Sequence, residues 1–245
     1  MAKEHPSKPR FKQTAIYDSM NKLLIRKGVF RGVHLENLGS VLDIGCGEAP
    51  ELSFIAKNHK MHGFMVGIDI CPHSKWKSVA LQHNYVNFVV ASAHYLPLRS
   101  DIFDFVFLKD LLHHISNDHI RVIREAYSVV RNLGMLRVIE ANRYSINPIL
   151  VFKSYRSHDH FTFEQMSNLK KHLSFDELYG FELLPSFSNS KRDSFWNFFV
   201  IFFWFSATWP MSRRFLSLYI RMKEKLMRGN LTYYVLSKKK MQEGH

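Results

Sequence analysis

Four groups of residues in this 245-residue chain have types and spacings that could do chemistry. The first is Val41-Leu42-Asp43-Ile44-Gly45-Cys46-Gly47-Glu48-Ala49-Pro50, an apolar run that ends in a glycine turn. Glycine has no Cβ, so the main chain there can adopt positive φ and approach a ligand closely. The second is Gly67-Ile68-Asp69-Ile70, about 25 residues further on, where a carboxylate at a strand end could accept both hydroxyl protons of a ribose. The third comprises His113, His114 and Glu140, ionisable groups near the ends of two later apolar runs and candidates for a general base. The fourth is Arg156-Ser157-His158-Asp159-His160-Phe161, a segment that could cover a site.

Each group has a competing reading. A glycine turn after a strand can be purely structural. A nicotinamide site would want G-x-G-x-x-G, but the position three past Gly47 is Pro50. Cys46 fits a small residue facing the core better than a nucleophile. Neither Cys46 nor Cys71 belongs to a CxxC pair or to a Cys/His cluster with metal spacing, and His158-Asp159-His160 lacks a third ligand at short spacing, so no metal site is expected.

The elements that must position these groups follow from hydrophobic periodicity. Val41–Ile44, Phe64–Ile70, Val86–Val90, Phe103–Leu108 and Met135–Glu140 read as strands, and Asn132-Leu133-Gly134 as a turn before the last of them. Between them, Pro50–Lys57, Ser74–Gln82 and about Asp118 to Arg131 read as helices, the first with proline at its start, where no hydrogen bond is lost. Continuous apolar strands alternating with helices predict a parallel sheet covered on both faces. In such sheets ligands bind beyond the carboxyl ends of the strands, where Gly45 and Asp69 fall. Further on, Thr162 can cap a helix to about His172, and Phe181–Leu184 and Leu231–Leu236 are two more strand candidates.

The glycine motif resembles motif I of class I S-adenosylmethionine (SAM) dependent methyltransferases, and three further segments match in order. Ala91-Ser92-Ala93-His94-Tyr95-Leu96-Pro97-Leu98 is similar to the segment bordering adenine. Phe103–Phe107 followed by Leu111-Leu112-His113-His114-Ile115 is similar to the fourth strand and its turn. Val129-Val130-Arg131-Asn132-Leu133-Gly134-Met135-Leu136 is similar to the passage into the fifth strand. The resemblance covers roughly residues 36–142. It implies a doubly wound Rossmann-like α/β sheet of seven strands, mostly parallel with an antiparallel last strand, and SAM as cofactor. Carried over position by position, it places Gly45, Cys46 and Gly47 under the methionine part and Asp43 near its amino group. Asp69 would hold the ribose, with Ile70 beside it among the cofactor-binding residues, Ser92 and Ala93 would border the adenine, and Lys109 and Asp110 would face donor or substrate. Ala49 stands where many members have a third glycine, and Ser92 where an acid is common. The second difference implies a modest loss of donor affinity, because a hydroxyl accepts more weakly than a carboxylate. Methyl transfer is an in-line displacement, so catalysis needs collinear positioning first, and a base among His113, His114 and Glu140 only for an acceptor with a high-pKa proton.

The net charge of +13 points to an anionic neighbour without choosing among membrane, nucleic acid and acidic substrate. Residues 195–205, Phe-Trp-Asn-Phe-Phe-Val-Ile-Phe-Phe-Trp-Phe, would make a helix only about 16 Å long at ~1.5 Å per residue, too short to span a bilayer. Basic helical sequence with interleaved apolar residues follows it, as an interfacial helix requires. The expected organisation is a tail and helix over 1–35, the donor-binding core over 36–187, an insertion over 188–229 serving as lid or membrane-interface helices, and a last strand with basic tail over 230–245. A buried helix or a dimer contact is the alternative for the insertion. The expected acceptor is a small or lipid-like molecule, with an anionic membrane surface as a further partner. RNA methylation is a second reading, disfavoured because no RNA-binding motif is appended. A SAM-binding partner without catalysis is a third. Two cysteines and no secretory signal suggest a cytoplasmic protein, peripherally attached if the insertion meets a membrane. No oligomeric state is specified.

Overall fold

The computed structural model describes residues 28–59, 62–116, 118–142, 160–181, 218 and 233–241. Seven strands form one sheet: β1 Ser40–Ile44, β2 Phe64–Asp69, β3 Val86–Val90, β4 Phe103–Lys109, β5 Val130–Ala141, β6 Glu177–Phe181 and β7 Tyr233–Lys239. Their spatial order is β3-β2-β1-β4-β5-β7-β6. The first five pair in parallel, and β7 lies antiparallel between β5 and β6. This is the doubly wound, seven-stranded arrangement with a reversed last strand that the sequence led us to expect. The order turns back at β1 and β4, which puts the ends of β1, β2 and β4 around the switch point where such sheets bind ligands.

The helices are α1 Pro50–Asn58, α2 Trp76–Gln82, α3 His119–Ser128 and α4 Phe163–His172. They cover two faces, which is why the central strands read as unbroken apolar runs. On one face Leu42, Ile44, Val106, Leu108 and Val138 pack with Val122, Ile123 and Ala126 of α3 and Met166 of α4. On the other, Val41, Met65, Phe105, Phe107 and Ile139 pack with Leu52 and Ile55 of α1 and Trp76 and Val79 of α2. Helix α4 begins with a capping box in which Thr162 accepts from the Gln165 amide and the Gln165 side chain accepts from the Thr162 amide.

Two elements differ from expectation. Residues 132–134 are not a turn ahead of β5 but an irregularity within it: the register with β4 jumps from Phe103↔Val130 to Phe105↔Met135. Leu133 takes φ +64, and the excursion is held by exchange of main-chain hydrogen bonds with Lys240, Leu133 to Lys240 and Lys240 to Gly134. Strand β6 ends at Phe181 instead of starting there. Of the expected tail and helix over 1–35, residues 1–27 lie outside the described residues, and the 195–205 run and the basic stretch after it lie outside them apart from Leu218. Among the described residues no helix is long and apolar enough to cross a membrane.

The base of the switch point is tied by a buried carboxylate. Asp104 Oδ2 accepts from the Gly39 amide (3.1 Å), the Ser40 amide (2.8 Å) and the Ser40 hydroxyl (2.8 Å), and Oδ1 pairs with Arg131. Removing the carboxylate strands the Gly39 and Ser40 amides, while the Ser40 hydroxyl keeps the Ile102 carbonyl at 2.9 Å, and each unmet buried donor costs about 1–3 kcal/mol. Asp104→Ala is therefore expected to lower unfolding stability by about 2 kcal/mol or more. Urea denaturation would check this; a loss below about 1 kcal/mol would show that the tie contributes little.

Candidate active site

At the end of β1 the chain makes a left-handed turn, with φ of +76° at Gly45, +50° at Gly47 and +58° at Ala49. Alanine at position 49 tolerates that conformation at modest cost because its side chain is small, and it is fully buried. The turn is held from the neighbouring strand. The Ile68 carbonyl accepts from the amides of Gly45 (2.7 Å) and Cys46 (2.9 Å). Asp69 Oδ2 accepts from the Gly47 amide at 2.9 Å, and the Trp76 indole donates to the Gly47 carbonyl at 2.7 Å. Trp76 is itself stacked on Phe88, with ring centroids 4.8 Å apart. From above, the Leu111 side chain closes on Gly45, where an added Cβ would lie 2.8 Å from its Cδ1.

Over this turn opens a cavity of about 480 Å³ lined by Gly45, Asp69, Ile70, Ala93, His94 and His114, together with Leu111, Ile115, Ser116 and Asp118. Of the positions singled out in the sequence, Gly45, Asp69, Ile70, Ala93 and His114 line it. Ile70 offers an exposed apolar surface, 75% accessible. Asp69 has one oxygen on the Gly47 amide, and each carboxylate oxygen can accept twice, so the group retains capacity for a ligand's hydroxyls. His94 was not anticipated. The Ser92 hydroxyl is shared with the His94 ring (3.2 Å) and amide (3.3 Å), so it is His94 and not Ser92 that borders the cavity.

The remaining positions sit behind the turn. The Cys46 side chain is buried in the core, where an added Cβ on Gly67 would lie 2.8 Å from its sulfur. Burial, with Asp43 and Asp69 nearby, pushes its thiol far above the ordinary range, so only its main chain is available to a ligand. Asp43 is buried, and its Oδ2 has no hydrogen-bond partner. Burial first, then Glu51 and Asp69, raise its carboxyl well above the usual range, while Lys109 opposes them. Lys109 pairs with Asp110 at 2.7 Å and Glu51 at 3.4 Å. Burial pulls its ammonium down, but those two carboxylates outweigh burial and leave it above the ordinary lysine range. Asp110, at φ +53°, also accepts from the Tyr233 hydroxyl at 3.1 Å. Lys109 and Asp110 thus form an ion network under the turn, with neither among the residues lining the cavity.

Glu140 is fully buried and spends its oxygens on the protein. Oε1 accepts from the amides of Leu111 (3.0 Å) and Leu112 (2.6 Å), and Oε2 meets His113 Nδ1 at 2.8 Å. Burial raises its carboxyl, against the lowering effect of His113 and the Leu112 amide. Glu140 and His113 therefore shape the 3₁₀ turn Leu112–His114 that presents His114 to the cavity. His160 packs against His113 with ring centroids 4.6 Å apart; His158 lies outside the described residues.

A model of a methyltransferase domain matches residues 42–138. This chain carries a SAM-dependent methyltransferase domain. The methyltransferase domain thus spans β1 to β5 and contains every residue lining the cavity. No curated protein matches the chain. Among solved structures, the 1,6-didemethyltoxoflavin-N1-methyltransferase of Burkholderia thailandensis, with 1,6-didemethyltoxoflavin and S-adenosylhomocysteine bound, is similar with a TM-score of 0.53. It is 14% identical over 93% of this chain and 79% of its own. Haemonchus contortus phosphoethanolamine N-methyltransferase 2, in complex with phosphomonomethylethanolamine and S-adenosylhomocysteine, gives 0.55 at 18% identity, over 91% of this chain and 53% of its own. The cyclase SpnF gives 0.53 at 19% identity, over 92% and 81%. At these identities the likeness is one of fold, and fold alone does not set the reaction.

Gly45 combines a positive φ with a close neighbour, so a side chain there is strained twice. Gly45→Ala is therefore expected to lower unfolding stability by roughly 1–3 kcal/mol, the cost of such backbone strain. Urea denaturation would check it, and a loss below about 0.5 kcal/mol would show that the turn accommodates a side chain there.

Proposed function

We propose that the cavity holds SAM and that the enzyme transfers its methyl group to a small-molecule acceptor entering past the Leu111–Ser116 rim. The ribose hydroxyls fall to Asp69 and the adenine to the space between Ile70 and Ala93, with His94 at its edge. The methionine part crosses Gly45–Gly47 with its amino group toward Asp43. The observation that carries this reading is the pairing of Gly45 and Asp69 in one cavity at the switch point. The buried, unpartnered Asp43 oxygen supports it, because a cationic amino group is what would satisfy that atom.

SAM supplies an activated methyl on a sulfonium, and the protein's part is placement. The main chain at Gly45 permits close approach. Leu111 and Ile115 exclude water from one side, and His114 is the titratable side chain placed to take a proton from an acceptor that must lose one. Glu140 acts through His113 and the Leu111–Leu112 amides, as a positioning residue. A small acceptor is supported by the small substrates bound in the two methyltransferases named above. A lipid-like acceptor and an anionic membrane partner rest on the sequence of 188–229, and RNA has no specific observation in its favour.

Donor binding has a predicted pH signature. Asp43 is held protonated above the usual aspartate range, and a cationic amino group pairs with its ionised form. Between the ordinary aspartate value and the raised one, SAM binding should therefore release a proton, and affinity should rise with pH and then level off. Calorimetry in buffers of differing ionisation heat would detect the release. In the same experiment Asp69→Ala should weaken SAM and S-adenosylhomocysteine by roughly 2 kcal/mol or more. Unchanged affinity in that variant would overturn the ribose assignment. S-adenosylhomocysteine released only with RNA present, and lost steeply with added salt, would replace the small acceptor by a nucleic acid.

A further inference from the structure

Just beyond β2 the chain reads Asp69-Ile70-Cys71-Pro72-His73, and the fold turns three chemically different ligands toward one point. Cys71 Sγ lies 3.9 Å from Asp69 Oδ1 and 3.8 Å from His73 Nε2, and His73 Nε2 lies 3.6 Å from Asp69 Oδ1. Zinc holds sulfur at about 2.3 Å, imidazole nitrogen at about 2.0–2.1 Å and carboxylate oxygen at about 2.0–2.2 Å in a tetrahedron. Those bonds give ligand-to-ligand edges of roughly 3.6 Å for sulfur to nitrogen or oxygen and roughly 3.4 Å for nitrogen to oxygen. The three separations here exceed those edges by only about 0.2–0.3 Å, a gap that side-chain rotation can close.

The cluster is also held in place. Asp69 is fixed through the Gly47 amide. The His73 ring lies 5.8 Å from the Trp76 indole, which anchors the same glycine. Pro72 restricts the main chain between the other two ligands. Cys71 is exposed, so an ion has access. A thiolate and a carboxylate balance a divalent charge, and a sulfur–imidazole–carboxylate set selects a thiophilic ion over magnesium or calcium. No spacing in the chain marks this grouping, because Cys71 and His73 have no CxxC or His pair nearby and the third ligand comes from the strand end.

We infer that Asp69, Cys71 and His73 form a binding site for a thiophilic divalent cation such as Zn²⁺, and that its occupancy opposes binding of the methyl donor. The antagonism rests on the reading of Asp69 as the ribose ligand. An ion bound there takes Asp69 Oδ1, places positive charge at the rim of the cavity, and removes an acceptor from the sugar hydroxyls. Binding displaces the thiol proton to solvent and involves no redox change.

The test uses the full-length protein and Co²⁺ as a spectroscopic stand-in for Zn²⁺. Wild type should give a sulfur-to-cobalt charge-transfer band saturating at one ion per chain. Cys46 is buried, so Cys71→Ser should abolish that band. Partners one shell out are worth roughly 10–100-fold in metal affinity, so loss of the thiolate should weaken Zn²⁺ by at least about tenfold, as read by a competing chelator. Without metal, Cys71→Ser should bind SAM like wild type; with saturating Zn²⁺, SAM affinity should fall in wild type, recover with chelator, and hold in Cys71→Ser. No charge-transfer band, or an unchanged band in Cys71→Ser, overturns the site. A band with no effect on SAM overturns the antagonism. Asp69→Ala measured without metal then separates the causes: unchanged SAM affinity places the failure in the ribose assignment, and reduced affinity places it in the proposed competition.

Discussion

The site depends on a left-handed main-chain turn whose own hydrogen bond, from the Ala49 amide to the Cys46 carbonyl at 2.7 Å, leaves its other polar groups to be met from outside. Positive φ at Gly45, Gly47 and Ala49 leaves amides and carbonyls pointing away from any regular ladder, and they must find partners. They find them on the next strand and helix: the Ile68 carbonyl, the Asp69 carboxylate and the Trp76 indole. The turn is therefore as well placed as β1 is against β2. Asp69 joins the brace to the cavity, since it both supports Gly47 and lines the space above. A change at Asp69 consequently touches geometry and ligand together.

Beneath the turn lies a group of buried charges whose balance is unusual. Asp43, Glu51, Lys109 and Asp110 share a small volume with one cation among three acids. Lys109 stays charged because two carboxylates face it, and Asp43 is pushed toward its protonated form because burial and Glu51 both oppose ionisation. Such a set favours an added positive group, which is what a sulfonium amino acid brings. Glu140 shows a different economy. Its three hydrogen bonds shape the segment that borders the cavity, so it helps set where His114 stands without itself lining the cavity.

Much of this was legible from residue order because the central strands are buried on both faces. Continuous apolar runs gave β1 to β4 nearly to the residue, and the glycine turn and Asp69 fell where a switch point puts them. Strand β6 was misplaced because it is an edge: Leu178, Tyr179 and Gly180 are only half-buried, so no apolar run announces it. The irregularity at Leu133-Gly134 looked like a turn because its stabilising partner, Lys240, is more than a hundred residues away. His94 and the Asp69-Cys71-His73 grouping were missed for a related reason. Their roles come from side chains brought together by bends after β2 and β3, and periodicity carries no information about such bends. The inward-facing arginine of β5 was equally silent. Arg137 is buried with its guanidinium on the carbonyls of Val29 and Arg31, tying the start of the described chain to the sheet.

The most direct test of the central claim is a crystal structure of the protein with S-adenosylhomocysteine bound. The account predicts both ribose hydroxyls on the Asp69 carboxylate, the methionine part across Gly45–Gly47 with its amino group within hydrogen-bond reach of Asp43, and the adenine against Ile70 and Ala93. A nucleoside bound elsewhere, or bound there with Asp69 turned away from the sugar, would contradict it.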